Sequence, residues 1–80
     1  MKIELSKKAA KALMSQNPPT QTRIAAGIRR IPEGDIKPVK GSSGTFRLRV
    51  GDWRILFSYP SKDNVLIEKI APRGDVYKGG

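Results

Sequence analysis

Apolar positions recur at helical spacing in the first part of the chain and alternate in the last part. Lys2–Leu5 alternates polar and apolar residues and predicts a short first strand. Ser6 stands where an N-cap is wanted, ahead of a helix over about Lys7–Ser15 on which Ala9, Ala10, Leu13 and Met14 share a face. Asn17-Pro18-Pro19 breaks the chain and restarts it, because asparagine caps a helix and proline suits a first helical turn. A second helix then runs to about Arg30, with Ile24, Ile28 and Ile31 extending its apolar stripe, and Pro32 and Gly34 end it. Two antiparallel helices joined by a tight link follow from this pattern.

Glu33–Gly44, rich in Gly, Pro, Ser and Lys, is expected to be a loop. Beyond it Phe46, Leu48 and Val50 alternate with Arg47 and Arg49, the signature of a half-buried strand. Gly51-Asp52 fits a two-residue hairpin turn, and Trp53, Ile55, Phe57 and Tyr59 then alternate with Arg54, Leu56 and Ser58. Pro60–Asn64 makes a second turn, and Val65–Ile70 is a near-continuous apolar strand interrupted by Glu68-Lys69. Neither alternate set of that last strand is cleanly apolar, so its parity is open. The order is β-α-α-β-β-β with a short tail: an α+β fold in which a helical hairpin packs on one face of an antiparallel sheet.

Composition narrows the picture. Eighty residues are expected to form one domain, residues 1–80. A chain of this size buries only roughly 60% of the surface its unfolded form exposes, so the stability margin is thin. Hydrophobic residues at 38%, spread along the chain, still favour a folded globule over a basic disordered tail. There is no cysteine, which removes disulfides and thiolate chemistry, and no histidine, which removes the usual neutral-pH base and zinc ligand. The acidic residues are scattered, and neither a metal nor a cofactor is expected. The opening residues lack the apolar core of a signal peptide, and no apolar run approaches the ~20 residues of a membrane span, so a cytoplasmic location is expected.

Charge points to the partner. Sixteen Lys and Arg against seven Asp and Glu leave +9, a field that attracts polyanions. A two-residue turn at Gly51-Asp52 sets Val50 against Trp53, places Arg49 opposite Arg54, and leaves Arg47 one pleat further along on the same face, opposite Leu56. Like charges so placed are destabilising. Either the arginines splay into solvent or take Glu68 or another acid between them, or the face is built for a multivalent anion, whose phosphate oxygens match the planar guanidinium fork. Phe46, Leu48, Val50, Trp53, Ile55 and Phe57 form the opposite face, toward the helices, which makes Trp53 core rather than a base-stacking platform. Arg73 and Tyr77 close the chain, where the last strand could deliver them to the arginine face.

These segments resemble a known family. Gly34-Asp35-Ile36-Lys37-Pro38-Val39-Lys40-Gly41, Phe46-Arg47-Leu48-Arg49-Val50-Gly51-Asp52-Trp53-Arg54-Ile55-Leu56-Phe57 and Arg73-Gly74-Asp75-Val76-Tyr77-Lys78 are similar to the RelE/ParE toxins of prokaryotic type II toxin–antitoxin modules, over nearly the whole chain. For RelE-type members the resemblance implies a microbial ribonuclease that enters the ribosomal A site and cuts mRNA by attack of a 2′-hydroxyl on the adjacent phosphate, arresting translation. It implies catalytic roles for Arg47, Arg49, Arg54, Arg73 and Tyr77, and RNA contacts from Arg47, Arg49, Lys37, Lys40 and Lys78. It also implies an acidic, RelB-like antitoxin as partner, besides the ribosome and mRNA. The chain departs from many relatives in having Pro72 where they carry histidine, and arginines where mRNA-cutting members often carry lysine. Arginine is always protonated and cannot be a base, so the general base is open; a tyrosine among cations is pushed toward phenolate, which makes Tyr77 a candidate. The alternatives are a ParE-type poison of DNA gyrase and a non-catalytic nucleic-acid binder of the same fold.

Overall fold

The computed structural model describes residues 2–72. The chain runs β1 (Lys2–Leu5), α1 (Lys7–Met14), α2 (Pro18–Arg29), β2 (Asp35–Pro38), β3 (Thr45–Val50), β4 (Trp53–Ser61) and β5 (Asn64–Pro72). The strands form one sheet in the order β1-β5-β4-β3-β2. Both helix starts follow the capping chemistry: Ser6 Oγ accepts from the Ala9 N–H at 3.0 Å, and Asn17 Oδ1 from the Thr20 N–H at 3.0 Å. Ser6 Oγ also donates to the Glu68 carbonyl oxygen at 2.9 Å, which ties the start of α1 to β5.

The core lies between the helices and one face of the sheet. Ala9, Ile24, Ile28 and Ile31 from the helical part meet Leu48, Ile55, Phe57, Val65, Ile67 and Ile70. Phe46, Val50 and Trp53 are partly buried against this cluster, so the tryptophan is a core residue, as its position in the alternation predicts. Met14 does not join the α1 face expected for it. It is 72% exposed, at the last position of the helix, while Ala12 and Leu13 pack on the core. At Gly27 the helix passes so close to the sheet that an added Cβ would stand 2.5 Å from Val50 Cγ2.

Two features correct the expected topology. Asp35–Pro38, expected within a loop, is an edge strand antiparallel to β3, and its proline sits where an edge tolerates a missing N–H. β1 pairs with β5 in parallel, so the sheet is mixed rather than wholly antiparallel. The second follows from the first. With short connections the chain reverses at each step, and one more strand between the helices and β3 turns an antiparallel first-to-last pairing into a parallel one.

The ambiguous parity of the last strand has a physical cause. Leu56 pairs with Lys69 but Phe57 pairs with Ile67, so Glu68 is an extra residue, a β-bulge. The bulge lets Val65 and Ile67 on one side of it, and Ile70 on the other, all reach the core.

Candidate nucleic-acid interface

The hairpin register is the one the turn predicts: Val50 with Trp53, Arg49 with Arg54, and Arg47 with Leu56. The neighbouring strands extend these pairs into rows on the sheet face turned away from the core. One row runs Asp35, Arg49, Arg54, Ala71 and the next runs Lys37, Arg47, Leu56, Lys69. Five cationic residues thus share two rows with the single carboxylate of Asp35.

The crowding of positive charge is relieved in two directions. Asp35 reaches across from the edge strand, with Oδ1 3.5 Å from Arg47 Nη2 and Oδ2 3.9 Å from Arg49 Nε. Arg54 turns the other way, and its Nη1 donates to the carbonyls of Gly51 at 3.1 Å and Trp53 at 3.2 Å. Arg49 and Arg54, direct cross-strand neighbours, therefore point their charge at different partners, which limits the repulsion expected of such a pair. The splayed, acid-bridged arrangement weighed from the sequence is the one present, and the acid is Asp35 rather than Glu68, whose Oε2 accepts from Ser58 Oγ at 3.1 Å.

Arg47 is the most enclosed of the ion-paired side chains, at 17% exposed against 54% for Arg49 and 47% for Asp35. Its Nε is buried and has no hydrogen-bond partner among the described residues. An unpaired buried donor costs about 1–3 kcal/mol, and a planar guanidinium offers Nε and Nη2 as a fork suited to two oxygens of one anion. Asp35 fills only half of that fork.

Beside Arg47 lies a shallow depression of about 350 Å³ lined by Lys37, Pro38, Val39, Lys40 and Arg47. Three of the residues singled out as RNA contacts, Lys37, Lys40 and Arg47, therefore surround one hollow. Arg49 instead borders a cleft of about 330 Å³ between α2 and the sheet edge, together with Arg23, Arg30, Glu33 and Asp35. Arg73, Tyr77 and Lys78, also singled out from the sequence, lie outside the described residues.

Two residues of this surface were not legible in the sequence. Asp35 belongs to a strand with a single apolar residue, and nothing in its pattern announces pairing. Lys69 reaches the arginine face through the bulge at Glu68, and only the mixed parity of Val65–Ile70 hinted at one. The face as a whole can hold and neutralise polyanion charge. Its guanidiniums can stabilise a developing negative charge but cannot remove a proton.

No family model matches the sequence, and no curated protein matches it. Solved structures do. A chain of the archaeal RelE–RelB complex from Pyrococcus horikoshii superposes with a TM-score of 0.71 at 24% identity, over 91% of this chain and 94% of the other. One from the RelB–RelE antitoxin–toxin complex of Methanococcus jannaschii gives 0.73 at 24% identity, over 91% and 93%. One from the RelBE2 toxin–antitoxin complex of Mycobacterium tuberculosis gives 0.73 at 22% identity, over 90% of each. The two helices laid on a five-stranded mixed sheet are, in this chain, the fold of the RelE-type toxins.

Proposed function

We propose that this protein is the toxin of a type II toxin–antitoxin module and a ribosome-dependent endoribonuclease that cleaves mRNA. The observation that carries the reading is the sheet face shared by Arg47, Arg49, Arg54 and Lys37, on which Arg47 Nε has no hydrogen-bond partner among the described residues. A cationic sheet face suits the backbone of an RNA strand, and the fold is shared with RelE toxins.

In the proposed reaction the 2′-oxygen of one nucleotide forms a bond to the adjacent phosphorus and the bond from phosphorus to the 5′-oxygen breaks. A proton leaves the 2′-hydroxyl, and a proton is delivered to the departing 5′-oxygen. Arg47, Arg49 and Arg54 stabilise the charge that builds on the phosphorane oxygens, the step electrostatic preorganisation serves best. Arg73 adds a further positive charge, and Tyr77 transfers a proton or stacks on a base; both assignments rest on the sequence resemblance. Lys37, Lys40 and Lys78 hold the strand. Ribosomal RNA is available to supply acid–base groups that the arginine face lacks.

The implied partner is an acidic antitoxin, as the complexes of the structural relatives with RelB suggest. The deciding experiment is a cell-free translation reaction with a defined message, in which mRNA 5′ ends are mapped by primer extension after adding the protein. New ends within codons, formed only when ribosomes are present, are the expected result. Intact message with continuing translation would overturn the reading in favour of gyrase inhibition or passive binding.

A further inference from the structure

Asp35 begins the edge strand and sets each carboxylate oxygen against a different arginine, Oδ1 to Arg47 and Oδ2 to Arg49. At 3.5 and 3.9 Å both contacts are longer than the ~2.7–2.9 Å of a charge-assisted hydrogen bond. The carboxylate is also half in solvent, at 47% exposed. It is therefore a weakly held anion between two guanidiniums. Two oxygens bridging two guanidiniums is also what a phosphodiester would present, and Arg47 Nε, buried and without a hydrogen-bond partner among the described residues, is a donor that Asp35 leaves unused.

From this arrangement we infer that Asp35 is an internal counter-ion that competes with RNA phosphate for Arg47 and Arg49, and so sets the affinity of the face. The inference rests on reading that face as the RNA site. Asp35 touches no reacting atom; it acts through the arginines, bridging them until a phosphate replaces it. The same contact lowers the net charge that the face offers to any polyanion, so RNA is gripped only where a phosphate enters the fork.

The test is binding of a fluorescent single-stranded RNA oligonucleotide to the full chain across a salt series, with Asp35→Asn, Asp35→Ser, Asp35→Glu and Arg47→Ala beside the wild type. Far-UV circular dichroism establishes that each variant is folded. Both neutral variants should bind roughly two- to five-fold tighter, the range for a pair this exposed. The slope of log affinity against log salt should steepen by about 0.7 for one more phosphate neutralised. Asp35→Glu keeps the charge and should keep the wild-type slope. A carboxylate that merely clamps β2 to β3 would give neutral variants that melt earlier and bind no tighter, and that outcome overturns the inference while leaving the RNA site in place. If the wild type shows no salt-sensitive binding, or Arg47→Ala binds as well as wild type, the reading of the face itself fails, and the inference with it.

Discussion

Arg54 and Gly27 show how differently single residues are constrained here. Arg54 is half-buried, donates to the carbonyls of Gly51 and Trp53, and lies across the strand pair from the like charge of Arg49. Replacing it by alanine loses surface hydrogen bonds but also a repulsion, so stability should stay within about 0.5 kcal/mol. Under the proposed function cleavage should nonetheless fall roughly 100-fold, the effect of deleting one donor to a developing oxyanion. Single-turnover cleavage on programmed ribosomes, read beside a thermal melt, separates the two; cleavage at the wild-type rate by both Arg54→Ala and Tyr77→Phe would reject the site assignment. Gly27 is the reverse case. Alanine there gains about 1 kcal/mol of helix propensity but sets a Cβ 2.5 Å from Val50 Cγ2, and overpacking costs about 1–3 kcal/mol. Gly27→Ala should be neutral to destabilising in the wild type and stabilising in a Val50→Ala background. Urea melts of the four proteins in that cycle check it, and additivity would show that the close approach carries no energy.

Among elements, the hairpin was legible because a two-residue turn and a period of two leave no freedom: once Gly51-Asp52 is the turn, Arg49 must meet Arg54. The helices were legible because Ser6, Asn17 and the prolines act locally, within a few residues of what they cap. Asp35–Pro38 was not legible, since a four-residue edge strand with one apolar position gains its stability from β3, not from its own pattern. That one omission left the sheet wholly antiparallel in the sequence reading, where β1 in fact pairs in parallel with β5, and hid the acid that bridges Arg47 and Arg49. The bulge at Glu68 escaped for a similar reason, because it is defined by pairing with β4. Its carbonyl has a use: it accepts from Ser6 Oγ, so one hydroxyl both caps α1 and pins it to β5. Ser6→Ala should therefore cost more than a plain cap. The cap is worth about 1 kcal/mol and the second hydrogen bond roughly another. For a domain this small each kcal/mol lowers Tm by about 4–8 °C. Ser6→Thr keeps both functions and should recover most of the loss; a melt of Ser6→Ala that matches wild type would show the junction to be slack.

At the scale of the molecule, two facts act against the free protein. The chain carries +9, and a domain of this size buries a smaller share of its surface than a larger one does. Self-repulsion at high net charge destabilises a compact state, and the rows of the sheet show where some of it concentrates, five cations beside one carboxylate. Salt should relieve part of this, because raising ionic strength from 0.01 to 0.15 M shortens the screening length from about 30 Å to about 8 Å. An acidic partner laid on that face should do more. Any ligand that binds only the folded chain stabilises it by about 2.7 kcal/mol at one hundred times its Kd, which for this length corresponds to on the order of 10–20 °C in Tm. Under the proposed function, calorimetric melts at low salt, at moderate salt and with a purified acidic antitoxin should rise in that order. Arg47→Ala and Arg49→Ala should shrink the antitoxin's increment if the partner neutralises the arginine face. A full increment in those variants would place the proposed antitoxin elsewhere on the fold, and a melt unchanged by it would mean that the free chain needs no such support.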